Sequence, residues 1–215
     1  MFVVRSVNVG AAAPIRGGKG IPTGIVKQPV DLLVVRDPGP KHGGLGTGVV
    51  GDFIGDVEHH GGSEQAVYAV AREELDWWGG ELGRELPDGM FGENLTTEGI
   101  DVDAALLGER WAIGEQVVLD VSGPRIPCRT FAARMGEPHW LKRFAARARS
   151  GVYLSVVTPG TIRRSDGIRV ISRPDHDIDV PTSFRAFMGD RAAAARVLAA
   201  GAGTDSFRAE LRGPA

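Results

Sequence analysis

The sequence of 215 residues contains a single cysteine, Cys128. One thiol cannot form an internal disulfide. One cysteine and five histidines at these spacings also cannot supply the four ligands of a structural zinc site. The sequence therefore excludes a disulfide scaffold and a zinc ribbon.

Long apolar runs and a strong excess of one charge are also absent. No segment approaches 18 consecutive apolar residues, and the start MFVVRSVNVG lacks the charged, apolar and cleavage regions of a secretory signal. The formal charge is −2, from 25 basic and 27 acidic residues, so the chain as a whole has little attraction for nucleic acid. We expect a cytoplasmic protein with no membrane and no nucleic-acid partner.

Glycine, in contrast, is abundant, with 31 residues that fall mainly between short runs rich in β-branched side chains. Such runs, bounded by Gly, Pro and Asp, are typical of short strands. They cover residues 2–9, 24–27, 30–36, 94–97, 110–113, 116–121, 152–158 and 168–172. Many short strands with few helices between them predict a mostly β protein, built as a largely antiparallel β-barrel with a few peripheral helices.

Helical spacing of apolar residues occurs in a few places. Ser63 is a suitable N-cap for a helix that reaches Trp78 and ends at Gly79 and Gly80, and a second helix is predicted over 139–148. After a linker at about 173–181, short helices are predicted over 182–188, 191–200 and 205–211. We expect two units, a β-barrel domain over 1–173 and a small C-terminal helical module over 174–215.

The segment around Cys128 has the clearest chemical character. Two prolines in Ser122-Gly123-Pro124-Arg125-Ile126-Pro127-Cys128-Arg129 predict that the preceding strand ends at about residue 121 and that a stiff turn presents the thiol. Flanking arginines favour the thiolate, which attacks electrophiles and binds soft metals. Taken alone, a free cysteine is more often a small buried apolar side chain, and the frame of prolines and arginines around Cys128 weighs against that alternative.

Three other segments carry candidate ligand-binding residues. In His59-His60-Gly61-Gly62-Ser63, the glycines allow close approach of a ligand, the predicted helix start attracts an anion, and a histidine can move a proton. A solvated Gly-rich turn explains that segment equally well. Asn94 in FGENL can simply stabilise a turn, and Lys27 in IVKQPV can be an ordinary exposed lysine.

The order of these motifs resembles the MOSC domain family, named for the C-terminal part of molybdenum cofactor sulfurases, and within it the YiiM-like subgroup. The motifs are TGIVKQPV, GD, HHGGSEQAVYAV, FGENLTTEGI, LGERWAIGE and SGPRIPC, which begin at residues 23, 51, 59, 91, 107 and 122. The resemblance covers about residues 5–172, and the helical tail resembles the small C-terminal module of the subgroup. Two positions depart from the frequent family pattern SQPRQPC, because Gly123 and Ile126 replace its two glutamines. His59 likewise stands where the family often has Asn or Arg.

The resemblance implies a barrel that binds the molybdenum cofactor, molybdopterin, with Cys128 as the molybdenum ligand. It implies a molybdenum-dependent oxidoreductase that reduces N-hydroxylated bases and related compounds with electrons from a flavoprotein. His60 would then supply or relay protons. The expected cofactor-binding residues are Lys27, His60, Gly61, Asn94, Ser122 and Arg125.

Two alternatives remain open from the sequence. Cys128 could carry a persulfide or a loaded cofactor to another enzyme without turnover, or the barrel could have lost the metal. The arginine-rich tail could dock a redox partner or could simply cover an edge of the barrel. The sequence does not decide between a monomer and a homodimer.

Overall fold

A computed structural model describes residues 2–213, which form ten strands and six α-helices. The strands are β1 (Val3–Gly10), β2 (Lys27–Pro29), β3 (Leu32–Val35), β4 (Val67–Ala71), β5 (Leu95–Glu98), β6 (Arg110–Ile113), β7 (Val117–Pro124), β8 (Val152–Thr158), β9 (Gly160–Arg163) and β10 (Ile168–Ser172). The helices are α1 (Arg72–Leu82), α2 (Arg129–Met135), α3 (Trp140–Arg147), α4 (Val180–Phe187), α5 (Arg191–Ala199) and α6 (Asp205–Arg212).

Eight strands form one mixed sheet in the order β10-β6-β7-β8-β4-β5-β1-β2, and β3 pairs with β9 in a separate antiparallel sheet. The β4–β5 pair is parallel, and the other pairs of the large sheet are antiparallel. The predicted β-barrel is not observed among the described residues, because the sheet is not closed: β10 and β2 end it without pairing with each other. The start of β1 nevertheless contacts the segment that leads into β10, through an isolated bridge between Val3 and Gly167 and through backbone hydrogen bonds of Val4 with Asp166 and Ser165. The mostly β class holds in outline, with more helix than expected.

The helix predicted from Ser63 to Trp78 is wrong in its first half. Ser63–Gln65 form one turn of 3-10 helix, Val67–Ala71 form strand β4, and α1 begins only at Arg72. All five residues of β4 are buried, because neighbouring strands pair on both sides and both sheet faces are covered. A strand buried on both faces is a continuous apolar run, which short-range periodicity cannot distinguish from a helix. The helix also passes Gly79 and Gly80 and ends at a left-handed Gly83.

The other helix predictions are confirmed within one or two residues. Helix α3 falls inside the predicted 139–148 range, and α4, α5 and α6 match the three predicted tail helices. Asp190 caps α5 as predicted, with its side chain accepting from two backbone N–H groups. Helix α2 and strand β9 were not predicted.

Two apolar clusters hold the fold together. The first lies on the large sheet and includes Val180, Val197 and Phe207 of the tail, so the tail helices and the sheet share one core. The second is aromatic, with Phe91, Phe131, Trp140 and Phe144 in edge-to-face or tilted contacts at 5.0–5.9 Å between ring centroids. This second cluster anchors α2 and α3, and with them Cys128, the residue immediately before α2. The division into two domains at residue 173 stays a prediction.

Some of the tail arginines have partners. Arg196 forms an ion pair with Asp177 at 2.9 Å, and Arg208 forms one with Asp205. Within residues 2–213, no helix is both long enough and apolar enough to cross a bilayer.

Candidate functional site

One cavity brings together six of the seven residues predicted to form the site. Its walls come from the segments 21–27, 47–56, 60–68, 91–94 and 125–130, with Tyr153 from β8. The six residues are Lys27, His60, Gly61, Asn94, Arg125 and Cys128. These positions lie far apart in the chain and converge because β2, β7 and the loops before β4 and β5 meet at this place in the fold.

Cys128 is the residue immediately before α2, and its side chain is partly buried at the cavity wall. Contrary to the sequence prediction, β7 does not stop at Val121 but continues to Pro124, with Gly123 paired to Tyr153. A register shift between Val121 and Gly123 lets the strand continue. The stiff turn therefore begins three residues later than expected and carries Arg125 and Cys128.

The environment of Cys128 favours the thiolate. Burial raises the pKa of the thiol, but the neighbouring imidazole of His60, the charge of Arg125 and the backbone N–H of Phe131 together outweigh that effect, so the pKa falls from 9.0 to about 6. Positive charge and backbone N–H groups at the start of a helix are the usual means by which proteins activate cysteine. At neutral pH the thiol of Cys128 is therefore mainly ionised, which is the form that attacks electrophiles and binds soft metals.

Arg125 provides a positive charge with unused hydrogen-bonding capacity. Its guanidinium lies over the ring of Phe131, 3.7 Å from the ring centroid, and only 5 % of the residue is exposed. Nη1 is buried and has no hydrogen-bond partner among the described residues. Because an unpaired buried donor is costly, this atom marks a position where a ligand acceptor would be stabilised.

Lys27 and Asn94 are in the cavity, but protein groups already occupy their polar atoms. Nζ of Lys27 lies 2.5 and 2.6 Å from the two carboxylate oxygens of Asp52. Asn94 donates to Asp52 at 2.9 Å and to the carbonyl of Asn8 at 3.3 Å, and its side-chain oxygen accepts from the Tyr68 N–H. Burial lowers the pKa of Lys27, although Asp52 opposes that effect. Lys27, Asp52 and Asn94 therefore form a polar floor of the cavity in which the charges of Lys27 and Asp52 cancel.

His60 and Gly61 lie on the loop before the 3-10 turn. The backbone N–H of His60 donates to the Asp56 carbonyl at 3.0 Å, and its imidazole faces Cys128. Gly61 has φ +94°, and a Cβ there would lie 2.6 Å from the carbonyl oxygen of Gly46. Glycine is thus required at this position. The anion site predicted at a helix start is not formed, because α1 begins at Arg72, nine residues after the predicted N-cap Ser63.

Ser122 is not brought to the cavity. Its hydroxyl donates to the backbone carbonyl of Glu64 at 2.5 Å, and the residue is absent from the cavity wall. Ser122 therefore links strand β7 to the 3-10 turn at Glu64 and does not face the cavity.

Sequence reasoning missed several residues of the wall. Asp52 is the partner of Lys27 and Asn94, and it also accepts from the N–H of Gly10 at 2.7 Å. Phe53 and Tyr153 give the cavity aromatic surface, and the buried rings of Tyr68 and Phe91 lie behind it. Asp52 belongs to the GD pair noted in the sequence, which was the available signal, but its partners are set by tertiary contacts.

The cavity rim carries a separate group of charges. Asp56 pairs with Lys19 and, at 2.9 Å, with Nδ1 of His59. Lys19 and His59 together hold the pKa of Asp56 well below its usual range, against a smaller contribution from burial. His59 is exposed and is not part of the cavity wall. Over residues 2–213, no three His, Cys, Asp or Glu side chains are grouped so that they could hold a metal ion.

The profile of the MOSC domain family matches residues 56–169, more than half of the sequence. The chain belongs to the MOSC domain family. Among curated relatives it is 29 % identical to YflK of Bacillus subtilis over 214 residues, which are 98 % of this chain and 93 % of YflK. It is 27 % identical to YiiM of Escherichia coli over 133 residues, 59 % of this chain and 57 % of YiiM.

Another relative is named a reductase. This protein, from Gibberella moniliformis, is 35 % identical over 136 residues, which are 60 % of this chain but only 23 % of the fungal protein. Among solved structures, YiiM from Geobacillus stearothermophilus has a TM-score of 0.76 at 24 % identity and covers 99 % of this chain and 98 % of that one. YiiM from Escherichia coli has a TM-score of 0.71 at 20 % identity, with coverage of 99 % and 91 %. These structures show that the MOSC chain has the YiiM fold.

Proposed function

We propose that this MOSC protein binds the molybdenum cofactor and uses it to reduce N-hydroxylated bases and related compounds. Membership of the MOSC family and the likeness to a protein named a reductase support this class of reaction. The observation that carries the proposal is the activated thiol of Cys128, which faces a cavity beside His60 and the unpaired guanidinium nitrogen of Arg125.

The donor set of the cavity fits a soft metal carried by an anionic pterin. A thiolate is a ligand that soft, redox-active metals prefer, and Cys128 is mainly ionised at neutral pH. Arg125 can donate to an anionic oxygen with the Nη1 atom that has no protein partner. Lys27 is paired with Asp52, so its role is to neutralise the floor rather than to bind the phosphate as the sequence suggested. Asn94 holds that pair in place.

The overall reaction consumes two electrons and two protons, because R–NHOH is converted to R–NH₂ and water. The molybdenum cofactor, when bound, supplies the two-electron chemistry that breaks the N–O bond. The protein contributes proton delivery and orientation. His60 lies at the cavity wall beside Cys128 and would donate a proton to the departing oxygen.

The cavity walls suit a flat substrate. Phe53 and Tyr153 line the cavity and are partly exposed, so their rings can pack against a planar base. A flavoprotein would supply the electrons, as the resemblance to the MOSC family implies. Both the substrate class and the donor are part of the proposal.

The test is turnover by purified protein reconstituted with molybdenum cofactor, a chemical electron donor and an N-hydroxylated purine. Cys128→Ser should abolish turnover, and His60→Ala should lower kcat. His59→Ala is the matched control, because the neighbouring imidazole points to Asp56 at the rim and should leave turnover near the wild-type rate.

Two results would contradict the proposal. Wild-type protein that binds the cofactor but gives no turnover would indicate a cofactor or sulfur carrier that uses the same thiol. Cys128→Ser protein that keeps full turnover would remove the thiol from the chemistry.

A further inference from the structure

The C-terminal helix α6 lies directly against the strand that leads to the candidate site. The ring of Phe207 packs on Gly123 of β7, two residues before Arg125. A Cβ on Gly123 would lie 3.2 Å from Cε2 of Phe207, which is closer than most Cβ contacts in proteins. Gly123 therefore makes room for the ring, and it is one of the two positions where the sequence departs from the family pattern SQPRQPC.

The same helix is also linked to the segment that carries His60. The hydroxyl of Ser206 donates to the carboxylate of Glu64. The backbone carbonyl of Glu64 accepts from the hydroxyl of Ser122 at 2.5 Å, next to Gly123 on β7. The following residue, Gln65, accepts from the N–H of Gly61 through its side-chain oxygen at 3.2 Å.

Phe207 is held firmly enough to act as an anchor. It is only 6 % exposed, it belongs to the main core, and its ring lies edge-on to Phe187 of α4 at 4.7 Å between centroids. Ser206 is exposed, so its hydrogen bond with Glu64 adds less than the buried ring contact. The ring on Gly123 is the main connection between the tail and the site.

We propose that α6 is a positioning element of the candidate site: Phe207, seated on Gly123, holds the segment of Arg125 and Cys128 against the segment of His60. Phe207 does not touch the cavity, so its effect passes through Gly123, Ser122 and Glu64. The tail is then neither a simple cover for the sheet nor chiefly a docking surface. The proposal rests on the proposed function only for the chemical roles of Cys128 and His60.

The test measures the alkylation rate of Cys128 by iodoacetamide at pH 7 in the full-length protein. Cys128 is the only cysteine, so intact-mass analysis reports that thiol alone. Phe207→Ala should slow alkylation about fivefold, because the thiol loses its contact with His60, and should increase deuterium uptake over residues 60–65. Phe207→Leu, which keeps an apolar contact on Gly123, should restore most of the rate.

Val197→Ala on α5 is the control, since Val197 is fully buried in the same core. It should lower the unfolding temperature and leave the alkylation rate unchanged. If Phe207→Ala does not fold, Gly123→Ala takes its place. That variant perturbs the contact between Phe207 and Gly123 from the β7 side. A rate at or above the wild-type rate in the tested variant, or an equal slowing in Val197→Ala, overturns the proposal. Neither readout needs molybdenum, so failure of the reductase assay leaves this test intact.

Discussion

The ammonium of Lys27 lies 2.5 Å from a carboxylate oxygen of Asp52, and both side chains are almost completely buried. The pair neutralises the floor of the cavity. Arg125, in contrast, lines the cavity with a donor, Nη1, that has no partner among the described residues. The charge of Lys27 therefore stabilises the fold, and the charge of Arg125 is available to a ligand. The sequence treated both residues as ligand-binding cations, and their different partners distinguish them.

The first prediction concerns this pair. Asp52→Asn removes the carboxylate and leaves Lys27 buried beside a neutral amide, so we expect the free energy of unfolding to fall by about 3–5 kcal/mol. Urea denaturation at pH 7 measures the change. The double variant Lys27→Met/Asp52→Asn should recover part of the loss, because no unpaired charge remains. Equal stability of Asp52→Asn and wild type would mean that the pair does not stabilise the fold.

The second prediction concerns the pH dependence of Cys128. Because its pKa is about 6, the rate of iodoacetamide alkylation should reach half its plateau near pH 6 and be nearly constant above pH 7. His60→Ala removes the imidazole that counteracts the effect of burial on the thiol pKa, so the midpoint should move up toward the ordinary thiol value. His59→Ala should keep the wild-type midpoint. A wild-type midpoint near 9 would contradict this account of the thiol.

The third prediction concerns Asp103, which is fully buried near Arg149 and accepts from the Gly151 N–H at 3.1 Å. Burial raises the pKa of its carboxyl to about 7, although Arg149 opposes that effect. The native state thus holds a proton that the unfolded chain loses near pH 4. The contribution of Asp103 to the free energy of unfolding is therefore fully present below about pH 4. It is lost as the pH rises to 7, by on the order of 3–4 kcal/mol.

Asp103→Asn should remove this part of the pH dependence, as measured by urea unfolding between pH 4 and 8. A smaller fall should remain, because burial also raises the pKa of Glu93 to about 7. If the variant and the wild type lose stability equally over this range, Asp103 does not titrate as described.

The fourth prediction concerns Arg125. Arg125→Met keeps much of the side-chain volume over Phe131 but removes the free donor. After gel filtration, the reconstituted variant should contain about tenfold less molybdenum than wild type. Arg129→Met is the control, since Arg129 donates to the Gly17 carbonyl at 3.2 Å and does not line the cavity. Equal retention by the two variants would assign no binding role to Arg125.

Much of the fold follows from local sequence signals. Strands β6, β8 and β10 and helix α3 stand where their residue patterns predict them, because each pattern matches the environment of one element. The pattern of Val67–Ala71 predicts helix although the segment is a strand, because an apolar run between two paired strands carries no alternation. Its place in the middle of the sheet depends on strands distant in sequence.

The candidate site was also foreseen in part. Motif order suggested Lys27, His60, Gly61, Asn94, Arg125 and Cys128, and these residues do line one cavity. The motifs could not show that Lys27 forms an ion pair with Asp52 or that the Ser122 hydroxyl donates to the Glu64 carbonyl, because these partners are brought together by tertiary contacts. The contact of Phe207 with Gly123 likewise joins residues 84 positions apart.

The most direct test of the central claim is the molybdenum content of reconstituted protein, measured by elemental analysis in wild type and Cys128→Ala. If the thiol holds the metal, wild type should bind about one molybdenum atom per chain after gel filtration, and Cys128→Ala should lose most of it while keeping its unfolding temperature. Equal molybdenum in the two proteins, or none in reconstituted wild type, would contradict the assignment of this cavity as a molybdenum site.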